Sequence, residues 1–327
     1  MPPCWREPCW RRRTIDPVQS YRKYLDPNVL ARIGALELRA RLIVEGYFSG
    51  LHRSPYRGWS AEFADHRIYT QGDDVRHIDW KLFGRTDKHY IKEYEQETNL
   101  HCVLVVDCSE SMSYRSASSA MNKHEYSTSL AAALAYLALQ QRDSVGLVLF
   151  DEKITHFVPP SNNPAQWKTI IGDLQGKTGP AKTAIRSVLA DLAERLKSRS
   201  MIILISDLFD DPEELLRGLH LLRFRRHELI VCAVWDYAER HFPFQRSTLF
   251  DGLEAGGRLL AHPRTVRQRY LEEVRLFLER MRRGCRELHI DFAQFDTSSP
   301  LDVALSTYLA TRSASIRQRS SRVLAGR

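Results

Sequence analysis

Five side chains in this chain have types and placements suited to holding a hard cation. They are Asp107, Ser109 and Ser111 in VLVVDCSESMS (103–113), Thr183 in GPAKTAIRSVL (179–189), and Asp207 in MIILISDLFDD (201–211). The run Val103–Val106 is too short and too β-branched for a helix and reads as a fully buried strand. An acid at its end with hydroxyls two and four residues on suits a turn, a helix cap, a nucleophile site or half of a metal site. Open α/β sheets place their ligand sites just beyond such carboxyl ends. Asp207 follows the apolar strand 201–206 in the same way, and Thr183 stands at the start of a helix. Oxygen-only donors suit Mg²⁺ or Mn²⁺. Two carboxylates formally neutralise a divalent ion, and neutral hydroxyl ligands leave it electrophilic enough to accept another carboxylate from a partner. The competing structural reading has Asp107 and the serines capping the first helix, and Asp207 capping the helix at 212–225.

These residues need a sheet to gather them. From residue 100 the chain alternates apolar strand candidates at 101–106, 144–150, 201–206, 228–235 and 288–295 with helix-like stretches at 124–141, 183–197, 212–225 and 264–284. That alternation predicts an α/β fold with a doubly wound, mostly parallel sheet over residues 100–312. Before it, Asp26 and Pro27 open a helix that runs to Gly46, with Leu30, Ile33, Leu36 and Ile43 on one face. Residues 47–98 mix glycine turns, aromatics and dense opposite charges, and HYIKEYE suits a strand of a small β-rich subdomain. The expected organisation is an extension at 1–24, a helix plus β subdomain at 25–99, the α/β domain at 100–312, and a basic tail at 313–327.

Composition sets outer bounds. The 327 residues, 43% hydrophobic and 27% charged, suit a soluble globular protein. The longest apolar candidate, LAAALAYLAL (130–139), falls short of the roughly 18 residues a membrane span needs. The N-terminus has basic residues but no following apolar region, so it does not read as a secretory signal, and the expected location is cytoplasmic. Of six cysteines, Cys102, Cys108 and Cys232 lie in or beside strand-like segments and read as buried thiols, as does Cys285 in an Arg-rich helix. Cys4 and Cys9 have no second half of a metal site nearby. The net charge of +8 gathers in residues 1–13, with four Arg against one Glu, in 263–286, with eight Arg against three Glu, and in 312–327, with five Arg and no acid. Without interleaved aromatics or a nucleic-acid motif, these read as solvated basic faces.

The spacing D-x-S-x-S, then Thr, then Asp resembles the metal-ion-dependent adhesion site of von Willebrand factor type A domains. That resemblance implies Asp107, Ser109, Ser111, Thr183 and Asp207 as metal ligands. Ala181 and Lys182 stand where that family often has Gly-Gly, and Thr178 is a fallback ligand. Upstream, Tyr69, Gly72, Asp73, Asp74, Arg76, Ile78, Asp79, Trp80 and Arg85, followed by Lys92, Glu93 and Glu95, resemble the signature of the bacterial family called domain of unknown function 58. Gly72-Asp73 suits a tight turn, and the acids and arginines suit an ion-pair network around Trp80, structural or recognitional in role. The resemblance implies a non-enzymatic interaction module that works with a MoxR-type AAA+ ATPase in protein maturation or complex assembly.

The alternative is a metal-dependent hydrolase using the same strand-end site. It lacks G-x-S-x-G, a histidine in a motif marking it as a base, and a second acid two residues after Asp107, where Ser109 stands. GDLQGKT (172–178) imitates a phosphate loop but has three residues between its glycines where four are needed, and no strand precedes it.

Overall fold

Apolar runs buried on both faces are what a parallel sheet covered by helices requires. The computed structural model describes residues 65–68, 83–84, 90–93, 100–176, 184–251 and 257–312, together with Leu36, Ala40 and Val44. Two short strands, β1 (Asp65–Ile68) and β2 (Tyr90–Glu93), pair antiparallel. The main sheet consists of β3 (His101–Asp107), β4 (Ser144–Phe150), β5 (Ile154–Ser161), β6 (Ser200–Ser206), β7 (Glu228–Trp235) and β10 (Asp291–Asp296). Between β7 and β10, β8 (Thr248–Asp251) and β9 (Arg258–Ala261) form a separate antiparallel hairpin.

The order across the main sheet is β10-β7-β6-β3-β4-β5, all parallel except β5, which runs antiparallel to β4. The chain begins in the middle at β3, builds outward through β4 and β5, then returns to the other side of β3 with β6. The boundary between β3 and β6 is therefore the topological switch point, where the loops leave in opposite directions and open a crevice beyond the strand ends.

From residue 100 on, the described helices are α1 (Lys123–Gln140), α2 (Gln166–Leu174), α3 (Ile185–Arg195), α4 (Pro212–Phe224), α5 (Tyr237–His241), α6 (Pro263–Glu287) and α7 (301–312). Strand periodicity divides them into two layers. Cys102, Leu104 and Val106 face a core with Tyr126 and Leu130 of α1, Trp167 of α2 and Leu305 of α7. Val103 and Val105 face the opposite core, with Leu189 of α3, Leu219 of α4 and Met281 of α6. Leu36, Ala40 and Val44 are helical, spaced by four, and buried in the first of these cores. The fold is α/β, doubly wound about a mostly parallel sheet, as the sequence implies.

Boundaries differ locally. The last strand starts at Asp291 rather than 288, because Leu288 closes α6 and His289 takes a left-handed φ of 55°. The edge strand β5 and the β8–β9 hairpin have no counterpart among the expected strands. Pro159 and Pro160 mask β5, and an edge is where a sheet tolerates residues that cannot donate to the ladder. The Arg-rich stretch forms α6, which buries only Pro263, Leu278, Met281 and Cys285 and leaves a solvated basic face. Gly172 to Leu174 are helical, which removes the phosphate-loop geometry from GDLQGKT. Among the described residues no helix is long and apolar enough to cross a membrane.

Gly146 in β4 faces the irregular stretch of β5. A Cβ there would lie 2.9 Å from the Val158 carbonyl oxygen and 3.0 Å from the Pro160 nitrogen. Both are backbone atoms that cannot rotate aside, so Gly146→Ala should destabilise the fold by about 1–3 kcal/mol through overpacking. Denaturant unfolding measures this, and an unchanged midpoint would show that β5 shifts freely.

Candidate functional site

All five parallel strands end in, or are followed at once by, an aspartate: Asp107 in β3, Asp151 after β4, Asp207 after β6, Asp236 after β7 and Asp296 in β10. The sheet topology places them along one edge. Asp107, Asp207 and Asp236 are fully buried.

Asp107 is held from two sides. Its Oδ2 accepts a 2.6 Å hydrogen bond from the Ser206 hydroxyl at the end of β6, and its Oδ1 accepts one of 2.9 Å from the Ser109 backbone N–H. The short 3-10 turn Glu110–Ser113 then brings Ser111 back, so that the Ser109 and Ser111 hydroxyl oxygens lie 3.1 Å apart. Both serines are buried. Burial, and then repulsion from Asp207, raises Asp107 from 3.8 to about 7. This corner therefore has an acid that resists ionisation and two hydroxyl oxygens in contact beside it.

Asp207 has different company. Its Oδ2 accepts from the Lys123 ammonium at 2.7 Å and its Oδ1 from the Phe209 N–H at 3.1 Å. Lys123 is the first residue of α1, is 1% exposed, and donates a second 2.7 Å bond to Glu239 of α5. Its ammonium also stands 4.6 Å from the centroid of the Phe209 ring. Burial works to depress the Lys123 pKa, but Asp207 and then Glu239 outweigh it and the net shift is upward. Burial raises Glu239 against the pull of Lys123.

Asp236 is an organiser. It caps α5 by accepting from Ala238 N–H, while Glu239 accepts from the Asp236 N–H in return, a reciprocal capping box. Its other oxygen accepts from Ser116 N–H, the Ser119 hydroxyl and the Thr297 hydroxyl. Burial works to raise its pKa, but these hydrogen bonds prevail and hold it below the ordinary carboxylate range. The loop after β3 is thereby tied to the ends of β7 and β10.

The five sequence-derived ligands thus part company. Asp107, Ser109 and Ser111 come together, and Asp207 lies close enough to raise the Asp107 pKa while bonded to Lys123. Thr183, the fallback Thr178, and the signature residues Gly72, Asp73, Asp74, Arg76, Asp79, Trp80 and Arg85 lie outside the described residues. The capping alternative is overturned. Asn122 caps α1 in a capping box with Glu125, and Asp211 caps α4 through the N–H groups of Glu213 and Glu214, so neither helix uses Asp107 or Asp207.

Lys123, Glu239, Asp236 and Ser206 escaped sequence reasoning. The aspartate repeated at strand ends was a usable signal for Asp236, and D-x-x-E from Asp236 to Glu239 has capping-box spacing. Nothing local marks Lys123. Burial raises the Cys102, Cys108, Cys232 and Cys285 thiols to about 12, so they are inert. Among the described residues no three His, Cys, Asp or Glu side chains gather as a metal cluster. Any cation site here would need hydroxyl ligands besides its carboxylates.

Fold and site together define a doubly wound α/β protein with a buried, oxygen-rich site at its switch point. The chain belongs to the family described as "Protein of unknown function DUF58", whose pattern matches residues 65–277. It is 27% identical over 236 residues to uncharacterized protein Rv1480 of Mycobacterium tuberculosis, covering 71% of this chain and 73% of that one. Uncharacterized protein Mb1516 of Mycobacterium bovis matches to the same extent. Among solved structures, the conserved hypothetical protein BatB from Bacteroides thetaiotaomicron is 14% identical at a TM-score of 0.44, covering 66% of this chain and 99% of that one. An aerotolerance-related membrane protein from Bacteroides fragilis is 15% identical at 0.42, covering 64% and 97%.

Two outcomes follow from the charges. The folded chain holds a proton on Asp107 up to about pH 7, whereas the carboxyl ordinarily releases it near 3.8. Metal-free stability should therefore fall as pH rises between those values. Asp107→Asn, which keeps an acceptor for the Ser109 N–H and can donate to the Ser206 hydroxyl, should flatten that slope and stabilise the protein at pH 8 by a few kcal/mol, on the order of 1.4 kcal/mol per pKa unit. Thermal melts from pH 4 to 8 in chelator test this, and parallel curves for parent and variant would refute it. Lys123→Met leaves the buried Asp207 and half-buried Glu239 without their cation and should cost about 3–5 kcal/mol. Adding Asp207→Asn should recover part of the loss, and a denaturation double-mutant cycle with no coupling would contradict the triad.

Proposed function

We propose that this protein is a non-enzymatic interaction module with a divalent-metal-dependent, adhesion-type site that takes an acidic side chain of a protein ligand. The observation that carries the reading is the contact between the Ser109 and Ser111 hydroxyls beside the buried, reluctant Asp107. The sheet order and antiparallel edge strand also agree with a von Willebrand factor type A-like domain. The donor set fits Mg²⁺ or Mn²⁺, since it consists of hard oxygens and Asp107 sits where positive charge is in demand. Asp107, Ser109 and Ser111 would hold the ion, with Asp207 and Thr183 as further members of the set. A bound ion supplies Lewis acidity, an electrophilic position for a partner's carboxylate. Lys123 limits the contribution of Asp207, whose Oδ2 it already engages.

Hydrolysis is less well supported. A nucleophilic serine needs a base in hydrogen-bond reach. Here the hydroxyls of Ser109 and Ser111 meet each other, and the acid beside them, Asp107, is already engaged by the Ser206 hydroxyl and the Ser109 backbone N–H. The ATPase partner remains what the family resemblance implies: a MoxR-type AAA+ machine acting on proteins or assemblies that this module recognises.

Calorimetric titration of Mg²⁺ and Mn²⁺ into metal-stripped protein tests the site. Binding should be present in the parent and lost in folded Asp107→Ala. No binding, or equal binding by both proteins, would leave Lys123 as the resident cation of a metal-independent scaffold. Co-purification with a MoxR-type ATPase, weakened by the same substitution, is the expected behaviour of the assembled system.

A further inference from the structure

The wall of the site that carries Glu239 is also the wall of a second feature. Between α5, the start of α6 and the β8–β9 hairpin lies an open cavity of about 360 Å³. It is large enough for a bulky side chain, within the roughly 300–1,000 Å³ of ligand pockets. Phe242, Phe244, Phe250 and Tyr270 form its aromatic lining, Tyr114, whose N–H donates to the Ser111 carbonyl, also lines it, and Ala261 stands on the hairpin wall. The rings contact one another, with Phe242 4.8 Å from Tyr270 and 5.7 Å from Phe250, and Phe244 5.2 Å from Phe250. Tyr270 is fixed by donating to the Glu239 carbonyl at 2.8 Å, so one wall is held in place.

The surroundings give the occupant its charge. Phe242 and Phe244 are shared with an adjoining cleft bounded by Arg264 and Arg267, both exposed. Arg267 donates to the carbonyls of His241 and Phe242, which fixes its guanidinium at the cavity's shoulder without neutralising it. An apolar hole beside two guanidiniums is complementary to an apolar group flanked by carboxylates. Large buried aromatic or aliphatic anchors with a charged rim are how interfaces concentrate their binding energy.

We propose that this cavity is a peptide-anchor site for a partner protein, taking one aromatic or large aliphatic side chain from an acidic segment, with the flanking carboxylates on Arg264 and Arg267. It needs no metal and does not rest on the proposed adhesion site. It adds a second specificity element, for an apolar anchor, a few residues of chain away from the first.

The test uses the full chain with a fluorescein-labelled acetyl-Glu-Glu-Phe-Glu-Glu amide, read by anisotropy. The Phe peptide should bind at least tenfold more tightly than its Phe-to-Ala counterpart, equally in Mg²⁺ and in chelator. Ala261→Trp, which fills the cavity, should weaken binding at least tenfold, and Arg264→Glu at least threefold with a shallower salt dependence. Phe244→Glu, in the exposed stretch before the hairpin, serves as a second cavity variant should Ala261→Trp not fold. Equal binding of the two peptides, no effect of either cavity variant, or no binding at millimolar peptide would overturn the proposal. Full binding by Arg264→Glu would overturn the acidic partner and point to a neutral apolar ligand. Dependence on Mg²⁺ would move the contact to the strand-end site and also overturn it.

Discussion

The pairing of Lys123 with Asp207 and Glu239 is the interaction on which this edge of the molecule depends. One ammonium, 1% exposed, stands 2.7 Å from each of two carboxylates brought from the end of β6 and from α5. A lysine at the first position of a helix faces the positive end of the helix dipole, which is unfavourable by itself. Desolvation adds a larger cost. Both are offset only because the carboxylates come from elements far away in sequence, and the same pairing therefore locks those elements together. Ion pairs of this kind contribute little net stability against an apolar replacement, but removing one partner is expensive. Their effect is to fix which strand ends face one another.

Asp236 completes that arrangement with hydrogen bonds in place of an opposite charge. Backbone N–H groups and hydroxyls from Ser116, Ser119, Thr297 and Ala238 stabilise its carboxylate. The serine-rich loop after β3 is thus fastened at its far end to β7 and β10, while its near end carries Ser109 and Ser111. The positions of these two hydroxyls are set twice, by the strand that precedes them and by the aspartate that anchors the loop beyond them. Tyr114 lies between those anchors, and through it the loop also borders the aromatic cavity.

How far this was legible in the sequence follows from the range of the interactions. Strands β3, β4, β6 and β7 are readable because burial on both faces demands continuous apolar runs such as Val103–Val106. Asp107, Ser109 and Ser111 are readable because their spacing is local. The edge strand β5 is not, since Pro159 and Pro160 break its pattern and only its place at the sheet edge makes them acceptable. The four-residue strands of the β8–β9 hairpin offer too little periodicity. Lys123 meets partners 84 and 116 residues away, and no short window contains both ends of either contact. The pairing of Asp207 with Lys123 stays hidden for the same reason.

The charge balance at the switch point explains why Asp107 is the residue left seeking a counter-charge. Lys123 bonds Asp207 and Glu239 but donates no bond to Asp107, which leans on Ser206 and the Ser109 N–H instead. Three ionised carboxylates against one ammonium leave two negative charges, the charge a divalent cation would balance. Near neutral pH the chain instead holds a proton on Asp107, because burial and the proximity of Asp207 make its ionisation costly. If Asp107 takes a cation as proposed, proton and cation would compete for its buried oxygen pair, with Asp207 already engaged by Lys123. On the proposed reading, a neutral residue at 123 would leave a stronger site for a metal and a weaker join between β6 and α5.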